Sequence, residues 1–146
     1  MNTQLPISTI MTTAVLTLGP KDLMRDVEDI FRKNTIHHIP IVEENGKLAG
    51  IISQTDFYKI QHGMTLFKSK NVESFNSTLM GSLLVEEVMT KQVAALHFNE
   101  PINVAVGILQ ENLFHALPVV DDNHKLVGIL TTHDLLNYAF RKEITN

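Results

Sequence analysis

Two short motifs place a hydroxyl side chain three residues before a carboxylate. They are Ser53-Gln54-Thr55-Asp56 and Thr131-Thr132-His133-Asp134, and each follows an apolar run that is typical of a strand. One interpretation is a capping box, in which the hydroxyl caps a helix and the acid bonds back to the N–H of the cap residue. The other is a ligand site, because a helix N-terminus attracts phosphate and a carboxylate accepts both hydroxyls of a cis-diol such as ribose. The residue types alone leave both open.

The two motifs belong to a longer internal repeat. Residues 11–58 align with residues 89–136 without a gap, and 15 of the 48 aligned positions are identical. A unit this small cannot bury its apolar face alone, so two copies usually pack together. We therefore expect two repeats related by a pseudo-two-fold axis, with any site present twice. The expected organisation is repeat 1 over 1–62, a connecting segment over 63–84, and repeat 2 over 85–146.

Turn signals and apolar spacing predict the same order of elements in both repeats. In repeat 1, a short β-type run ends near Leu18, a helix follows and stops near Asn34, and an Asn-Gly turn joins two strands that begin at His38 and Leu48. In repeat 2, Asn99 is predicted to cap the first helix. A second helix begins at each hydroxyl–carboxylate motif. The unit is therefore β-α-β-β-α, an α/β fold whose first two strands are parallel across a helical crossover.

Composition limits the classes of partner. Apolar residues make up 44% of the chain and the net charge is −4, which predicts a globular protein without the basic surface that binds nucleic acid or an anionic membrane. No apolar run approaches the ~20 residues that span a bilayer, and the N-terminus lacks the features of a signal peptide. The absence of cysteine excludes disulfides and thiolate chemistry. We expect a soluble cytoplasmic protein.

Neither a metal site nor an enzyme is favoured by the motifs. The adjacent His37 and His38 would point to opposite faces of a strand, and no histidine pair has the spacing of a metal-binding helix. Nucleophile-elbow and Walker patterns are absent. Asp56 and Asp134 could act as paired acids, but they belong to equivalent positions of the two repeats rather than to one constellation. We therefore expect no metal, no catalytic residue and no enzyme activity.

The ordered set of residues resembles the CBS domain, named after cystathionine β-synthase, and two in tandem resemble a CBS pair, or Bateman module. The order is hydrophobic-Met-Thr, a strand, a helix, His-x-hydrophobic-Pro-hydrophobic-Val, a hairpin, and Gly-hydrophobic-hydrophobic-Ser/Thr-x-x-Asp. It occurs twice between about Ser8 and Ala139. The resemblance implies a regulatory module of the stand-alone class, with two clefts between sheet-packed repeats that bind AMP, ADP, ATP, S-adenosylmethionine or NAD-like molecules. It also implies a homodimer and an unidentified protein target, with no required cofactor.

The resemblance also implies roles for individual residues. Asp56 and Asp134 match the ribose contacts of the family, and Ser53 and Thr131 match contacts on the phosphate side. The strand that contains the proline forms one wall of the adenine pocket. The implied nucleotide-binding residues are Thr12, His38, Ile39, Pro40, Ser53, Thr55 and Asp56 in repeat 1, and Thr90, Ala116, Leu117, Pro118, Thr131, His133 and Asp134 in repeat 2.

Two departures from the family pattern distinguish the repeats. The position before the aspartate is often arginine in the family, but here it is Thr55 or His133, which weakens the case for a polyphosphate. At the pocket wall, Ala116 leaves space, whereas His38 fills it or reaches toward phosphate. We therefore expect the two clefts to differ, with the better nucleotide site in repeat 2. The alternative is a protein interaction or dimerisation module whose clefts stay empty.

Overall fold

A computed structural model of the chain describes residues 1–65 and 77–141. The middle of the predicted connecting segment, residues 66–76, lies outside the described residues. The chain divides into two compact units. The repeat-1 unit is Leu16–Val93, and the repeat-2 unit is Met1–Val15 together with Ala94–Asn146.

The repeat-1 unit contains helix α1 (Met24–Lys33), strands β1 (His38–Val42) and β2 (Leu48–Ser53), and helix α2 (Gln54–Thr65). Strands β1 and β2 form an antiparallel hairpin. Leu18 adds a single parallel bridge to β1 at Ile41, which confirms the predicted direction of the first crossover. Residues 77–80 are also helical.

The repeat-2 unit has the same order of elements: strand β3 (Leu96–His97), helix α3 (Ile102–Asn112), strands β4 (Ala116–Val120) and β5 (Leu126–Thr131), and helix α4 (Thr132–Phe140). Strand β3 pairs parallel with β4, and β4 pairs antiparallel with β5. The α/β fold of two β-α-β-β-α repeats is therefore confirmed at the level of each unit.

The leading segment of repeat 1, Met1–Val15, belongs to the repeat-2 unit. The carbonyl of Leu5 accepts from the N–H of Ile102, the first residue of α3, at 3.0 Å. Thr12 and Ile129 of β5 exchange two backbone hydrogen bonds of 2.9 Å. The prediction that Asn99 caps α3 is wrong, because the helix begins later and the Leu5 carbonyl takes its first donor.

The leading segment of repeat 2, which contains Leu83 and Thr90, likewise belongs to the repeat-1 unit. The carbonyl of Leu83 accepts from the N–H of Met24, the first residue of α1, at 2.9 Å. Thr90 exchanges backbone hydrogen bonds of 2.9 and 3.1 Å with Ile51 of β2. Each hairpin is thus bridged by one residue from the leading segment of the other repeat.

Glycine permits the close approach of these segments to the hairpins. A Cβ atom added to Gly128 would lie 2.7 Å from Met11 Sδ and 2.9 Å from the Thr12 carbonyl oxygen. One added to Gly50 would lie 2.5 Å from Met89 Sδ. A side chain at either position would displace the incoming methionine or its backbone, so glycine is required by packing.

Each unit has its own apolar core, made by the inner faces of the hairpin and the helices. A residue of the incoming segment is fully buried in each core, Val85 in the repeat-1 unit and Ile7 in the repeat-2 unit. The buried core of the repeat-1 unit is Met24, Val27, Phe31, Ile39, Ile41, Ile52, Phe57, Met80 and Val85. That of the repeat-2 unit is Ile7, Leu96, Ala105, Leu109, Leu117, Val119 and Leu130.

A search of the described residues for a bilayer-spanning helix finds none with the required length and apolar character.

Candidate functional site

The hydroxyl and the carboxylate of the second motif meet where β5 ends and α4 begins. Thr131 is the N-cap residue of α4, and its Oγ1 accepts from the N–H of Asp134 at 3.1 Å. In return, Asp134 Oδ2 accepts from the N–H and from the hydroxyl of Thr131, both at 2.8 Å. The capping-box interpretation of this motif is therefore confirmed.

The first motif forms the same reciprocal pair at the start of α2. Ser53 Oγ accepts from the N–H of Asp56 at 3.0 Å, and Asp56 Oδ2 accepts from the N–H of Ser53 at 3.1 Å. Capping does not exclude ligand binding, because it fixes a carboxylate and a helix N-terminus at one place in each unit. The two aspartates and their cap residues are all half-buried, so solvent reaches them.

The first turns of α2 and α4 retain a donor for an anion. The first amide of each helix donates to the residue before the first strand of its hairpin: Gln54 to the His37 carbonyl at 2.8 Å, and Thr132 to the His115 carbonyl at 3.1 Å. The third amide of each helix is taken by the capping hydroxyl. By position, the amides of Thr55 and His133 are the remaining first-turn donors. Both residues are exposed, so a phosphate could reach them.

The structure regroups one pair of the sequence-predicted site residues. The sequence predicts Thr12 in the same nucleotide site as Asp56 of its own repeat. In the structure, Thr12 Oγ1 donates to Asp134 Oδ1 at 3.0 Å in the repeat-2 unit. Thr90 was grouped with Asp134, but it bridges Ile51 in the repeat-1 unit. The physical reason is the exchange of leading segments described above. The repeat alignment shows that Thr12 and Thr90 are equivalent, but it carries no signal for which hairpin each one joins.

The predicted adenine wall lies beside these motifs. In the hairpin registers, His38 is the partner of Ser53 and Ala116 is the partner of Thr131. His38 is half-buried, whereas Ala116 is 8% exposed. The predicted adenine wall thus has the smaller side chain, Ala116, in the repeat-2 unit and the larger one, His38, in the repeat-1 unit.

The other wall residues offer backbone rather than side chains. Ile39 and Leu117 belong to the two apolar cores, so their side chains are committed to packing. Pro40 and Pro118 are buried and carry no N–H. Any contact with an adenine edge at these four positions would therefore use carbonyl or amide groups of the strand.

The described residues contain no group of three or more histidine, aspartate or glutamate side chains placed to hold a metal ion. Asp56 and Asp134 belong to different units and each pairs with its own cap residue. Each motif thus contains one of these two carboxylates.

Comparison with known proteins identifies the repeats. Residues 7–63 and 85–141 each match the CBS domain. Protein MJ1426 of Methanocaldococcus jannaschii is 33% identical over 149 residues, which cover 89% of this chain and 88% of that protein. The L-aspartate semialdehyde sulfurtransferase of the same organism is 32% identical over 130 residues, but this chain spans only 22% of its length. Some relatives are thus enzymes that contain a similar segment.

Solved structures of CBS pairs share the fold and bind adenosyl compounds. CBSX2 from Arabidopsis thaliana, solved in complex with AMP, superposes with a TM-score of 0.78 at 22% identity, covering 95% of this chain and 98% of that one. The CBS domain pair of protein MJ0100, solved with 5′-methylthioadenosine and S-adenosyl-L-methionine, gives a TM-score of 0.72 at 27% identity, covering 94% and 97%.

Proposed function

Because the chain belongs to the CBS domain family and contains two CBS domains in tandem, we propose that it is a regulatory module that binds an adenosine-containing ligand. The observation that carries the proposal is the duplication of one arrangement: a half-buried carboxylate, a capping hydroxyl and an exposed first-turn amide, at the start of α2 and again at the start of α4. The module binds without catalysis, and its output is a change of conformation.

The proposed roles follow the chemistry of each group. Asp56 and Asp134 accept the ribose hydroxyls, because a carboxylate oxygen pair matches a cis-diol. The first-turn amides of α2 and α4 hold the 5′ substituent, where the helix dipole favours negative charge. Strands β1 and β4 present backbone groups to the adenine edge beside Pro40 and Pro118, which lack an N–H of their own.

The solved relatives support the class of ligand. CBSX2 binds AMP, and the CBS pair of MJ0100 binds 5′-methylthioadenosine and S-adenosyl-L-methionine. These molecules share an adenosine moiety and differ at the 5′ position. A site that reads ribose and adenine, with little specific charge for the 5′ group, accommodates this range.

The first turns favour a small or weakly charged 5′ substituent. Thr55 and His133 occupy the position where an arginine would supply a permanent, bidentate charge for phosphate. A monophosphate is therefore a better candidate than a triphosphate, and the repeat-1 site is the poorer one for phosphate.

Signalling requires that the ligand bind one conformation of the module better than another. We include a homodimer in the proposal, because Leu136 and Phe140 are 58% and 51% exposed one turn apart on α4. Sedimentation equilibrium of the purified chain would test it, and a monomer at high concentration would refute this part. The cytoplasmic location and the protein target stay predictions.

A thermal-shift panel tests the function directly. Purified protein, shown by chromatography of a denatured sample to be free of bound nucleotide, is heated with AMP, ADP, ATP, S-adenosylmethionine, NAD or GTP. A ligand that binds the native state at 100 times its Kd stabilises it by about 2.7 kcal/mol, so the melting temperature rises. We expect a rise with adenosyl compounds and none with GTP.

An absence of any shift would refute the proposal. It would favour the alternative of an interaction module with empty clefts, in which the two motifs are capping boxes only. A shift of equal size with GTP would show that the site does not distinguish adenine from guanine and would contradict the adenosine assignment.

A further inference from the structure

Asp134 in the repeat-2 unit already has most of its acceptor positions filled. Its Oδ2 accepts two hydrogen bonds from Thr131, and its Oδ1 accepts one from the Thr12 hydroxyl. An ionised carboxylate offers about four lone-pair positions. The two hydroxyls of a cis-diol therefore cannot both bind Asp134 unless an existing bond is released.

The bond from Thr12 is the one that can be released most easily. The bonds from Thr131 are local, and they hold the first turn of α4 in place. Thr12 is 122 residues away in the sequence and is exposed, so water can replace the carboxylate as the partner of its hydroxyl.

We propose that the Thr12 hydroxyl is a built-in competitor for the ligand, because a ribose that binds Asp134 must displace it. This inference rests on the proposed function and adds regulation to one of its two sites. The repeat-2 site then has more space at the predicted adenine wall, beside Ala116. Its ribose, however, can bind Asp134 only after the Thr12 hydroxyl has released the carboxylate.

Displacement acts on the segment that carries Thr12. The backbone of Thr12 exchanges two hydrogen bonds of 2.9 Å with Ile129, and Met11 packs against Gly128. The bond to Asp134 is a further link between this segment and the β5–α4 corner. Ligand binding removes that link, so occupancy loosens the attachment of the leading segment and changes the balance between two conformations.

The repeat-1 unit provides an internal comparison. Asp56 accepts from the N–H of Ser53 at 3.1 Å. Across the described ranges, no hydrogen bond joins Asp56 to Thr90, the counterpart of Thr12 in the repeat. A ribose can therefore bind Asp56 without a competitor, and the two sites differ in this respect.

Calorimetric titration of the full chain with AMP tests the inference through matched variants. Thr12→Val removes the hydroxyl and keeps the shape of the side chain, Thr12→Ser keeps the hydroxyl, and Thr9→Val makes the same change at a nearby hydroxyl that donates to the Pro6 carbonyl. We expect Thr12→Val to tighten AMP binding about three- to tenfold, the range that one net hydrogen bond provides. Thr12→Ser and Thr9→Val should bind as the wild type does.

Hydrogen exchange supplies a second readout on the wild type. Saturating AMP should speed the exchange of the Thr12 and Ile129 amides, whereas the Ile51 and Thr90 amides should exchange no faster than without AMP. Amides that become more protected at Thr12 would overturn the competitor role.

The outcomes separate this inference from the proposed function. Weaker AMP binding in Thr12→Val would show that the hydroxyl contacts the ligand, and unchanged binding would show that it does not compete, so either result overturns the inference alone. A failure of AMP to bind the wild type and every variant, all of them folded by their melting temperatures, overturns the inference together with the proposal of an AMP site.

Discussion

At the scale of single residues, Asp134 and Asp56 occupy equivalent positions but carry different numbers of hydrogen bonds. Counted over the described residues, Asp134 accepts three, two from Thr131 and one from Thr12, whereas Asp56 accepts one from Ser53. Loss of a capping side chain typically costs about 1 kcal/mol, and further bonds add to that cost. The two aspartates therefore contribute unequally to stability before any ligand is considered.

We predict that Asp134→Ala lowers the free energy of unfolding by about 1–2 kcal/mol, and that Asp56→Ala lowers it by less. Urea denaturation of both variants beside the wild type measures the difference. Equal losses would show that the bond from Thr12 contributes no stability.

A second residue-scale prediction concerns Asp121 at the turn between β4 and β5. The N–H groups of Lys125, at 3.0 Å, and of Asn123, at 2.9 Å, donate to its carboxylate, and the first of these is the main cause that holds its pKa below the ordinary value of 3.8. A carboxyl with a lowered pKa stabilises the fold above its ordinary pKa, and the contribution is lost as the pH falls through the lowered value.

Asp121→Ala should therefore destabilise the protein at neutral pH, and the difference from the wild type should shrink as the pH falls below 3.8. Carbon-detected NMR titration of the Asp121 carboxyl gives the midpoint directly. A midpoint at or above 3.8 would contradict the assignment.

Local spacing was enough to offer the capping box as one of two interpretations of each motif, and the structure forms that box in both. The same local information could not place Thr12. Its hydroxyl meets Asp134 only through the path of the leading segment, which is a tertiary feature. For the same reason, the burial of Ile39 and Leu117 in the cores could not be separated from a role at the pocket wall.

At the scale of elements, two glycines with opposite environments give a paired prediction. A Cβ added to Gly107, inside α3, meets no atom within 4 Å, whereas one added to Gly128 in β5 would lie 2.7 Å from Met11 Sδ. Gly107→Ala should raise the free energy of unfolding by up to about 1 kcal/mol through helix propensity. Gly128→Ala should lower it by about 1–3 kcal/mol through overpacking.

Thermal or urea unfolding of the two variants tests this prediction. A stabilising Gly128→Ala would mean that the leading segment does not pack on β5 as the structure places it.

The elements themselves were predicted to within a few residues, since the apolar spacing and the turn signals repeat in both halves. The start of α3 was the exception. A side-chain cap at Asn99 was predicted from local preference, but the carbonyl of Leu5 satisfies the first donor of the helix instead. Backbone groups from a distant segment leave no local signature in sequence.

At the scale of the whole molecule, the exchange of leading segments determines which residues stabilise which repeat. Ile7 belongs to the leading segment of repeat 1 but is fully buried in the core of the repeat-2 unit, and Val85, in the leading segment of repeat 2, is its counterpart in the repeat-1 unit. The repeat period in the sequence revealed two units and one fold. It could not reveal the exchange, because two equivalent segments and two equivalent hairpins can be paired in either way.

We predict that Ile7→Ala lowers the free energy of unfolding by about 2–4 kcal/mol. In this variant, the Thr12 and Ile129 amides should lose their protection from hydrogen exchange before the Ile51 and Thr90 amides do. Val85→Ala is the matched variant and should reverse the order. If the same pair of amides lost protection first in both variants, the exchange of leading segments between the repeats would be contradicted.

In the proposed function, each unit presents one carboxylate to the ribose of an adenosyl ligand. Asp56→Ala and Asp134→Ala each remove a capping bond as well as a ligand contact, so a control is needed. Asp26→Ala provides it, because Asp26 Oδ2 accepts from the N–H of Leu23 at the start of α1, at 3.0 Å, away from both motifs.

The most direct test is calorimetric titration of AMP into the wild type, Asp26→Ala, Asp56→Ala, Asp134→Ala and the variant that combines the last two. We expect two sites per chain in the wild type and in Asp26→Ala, one in each single motif variant, and none in the combined variant. If the combined variant is folded and binds AMP as tightly as Asp26→Ala does, the two aspartates are not the ribose contacts and the claim is contradicted.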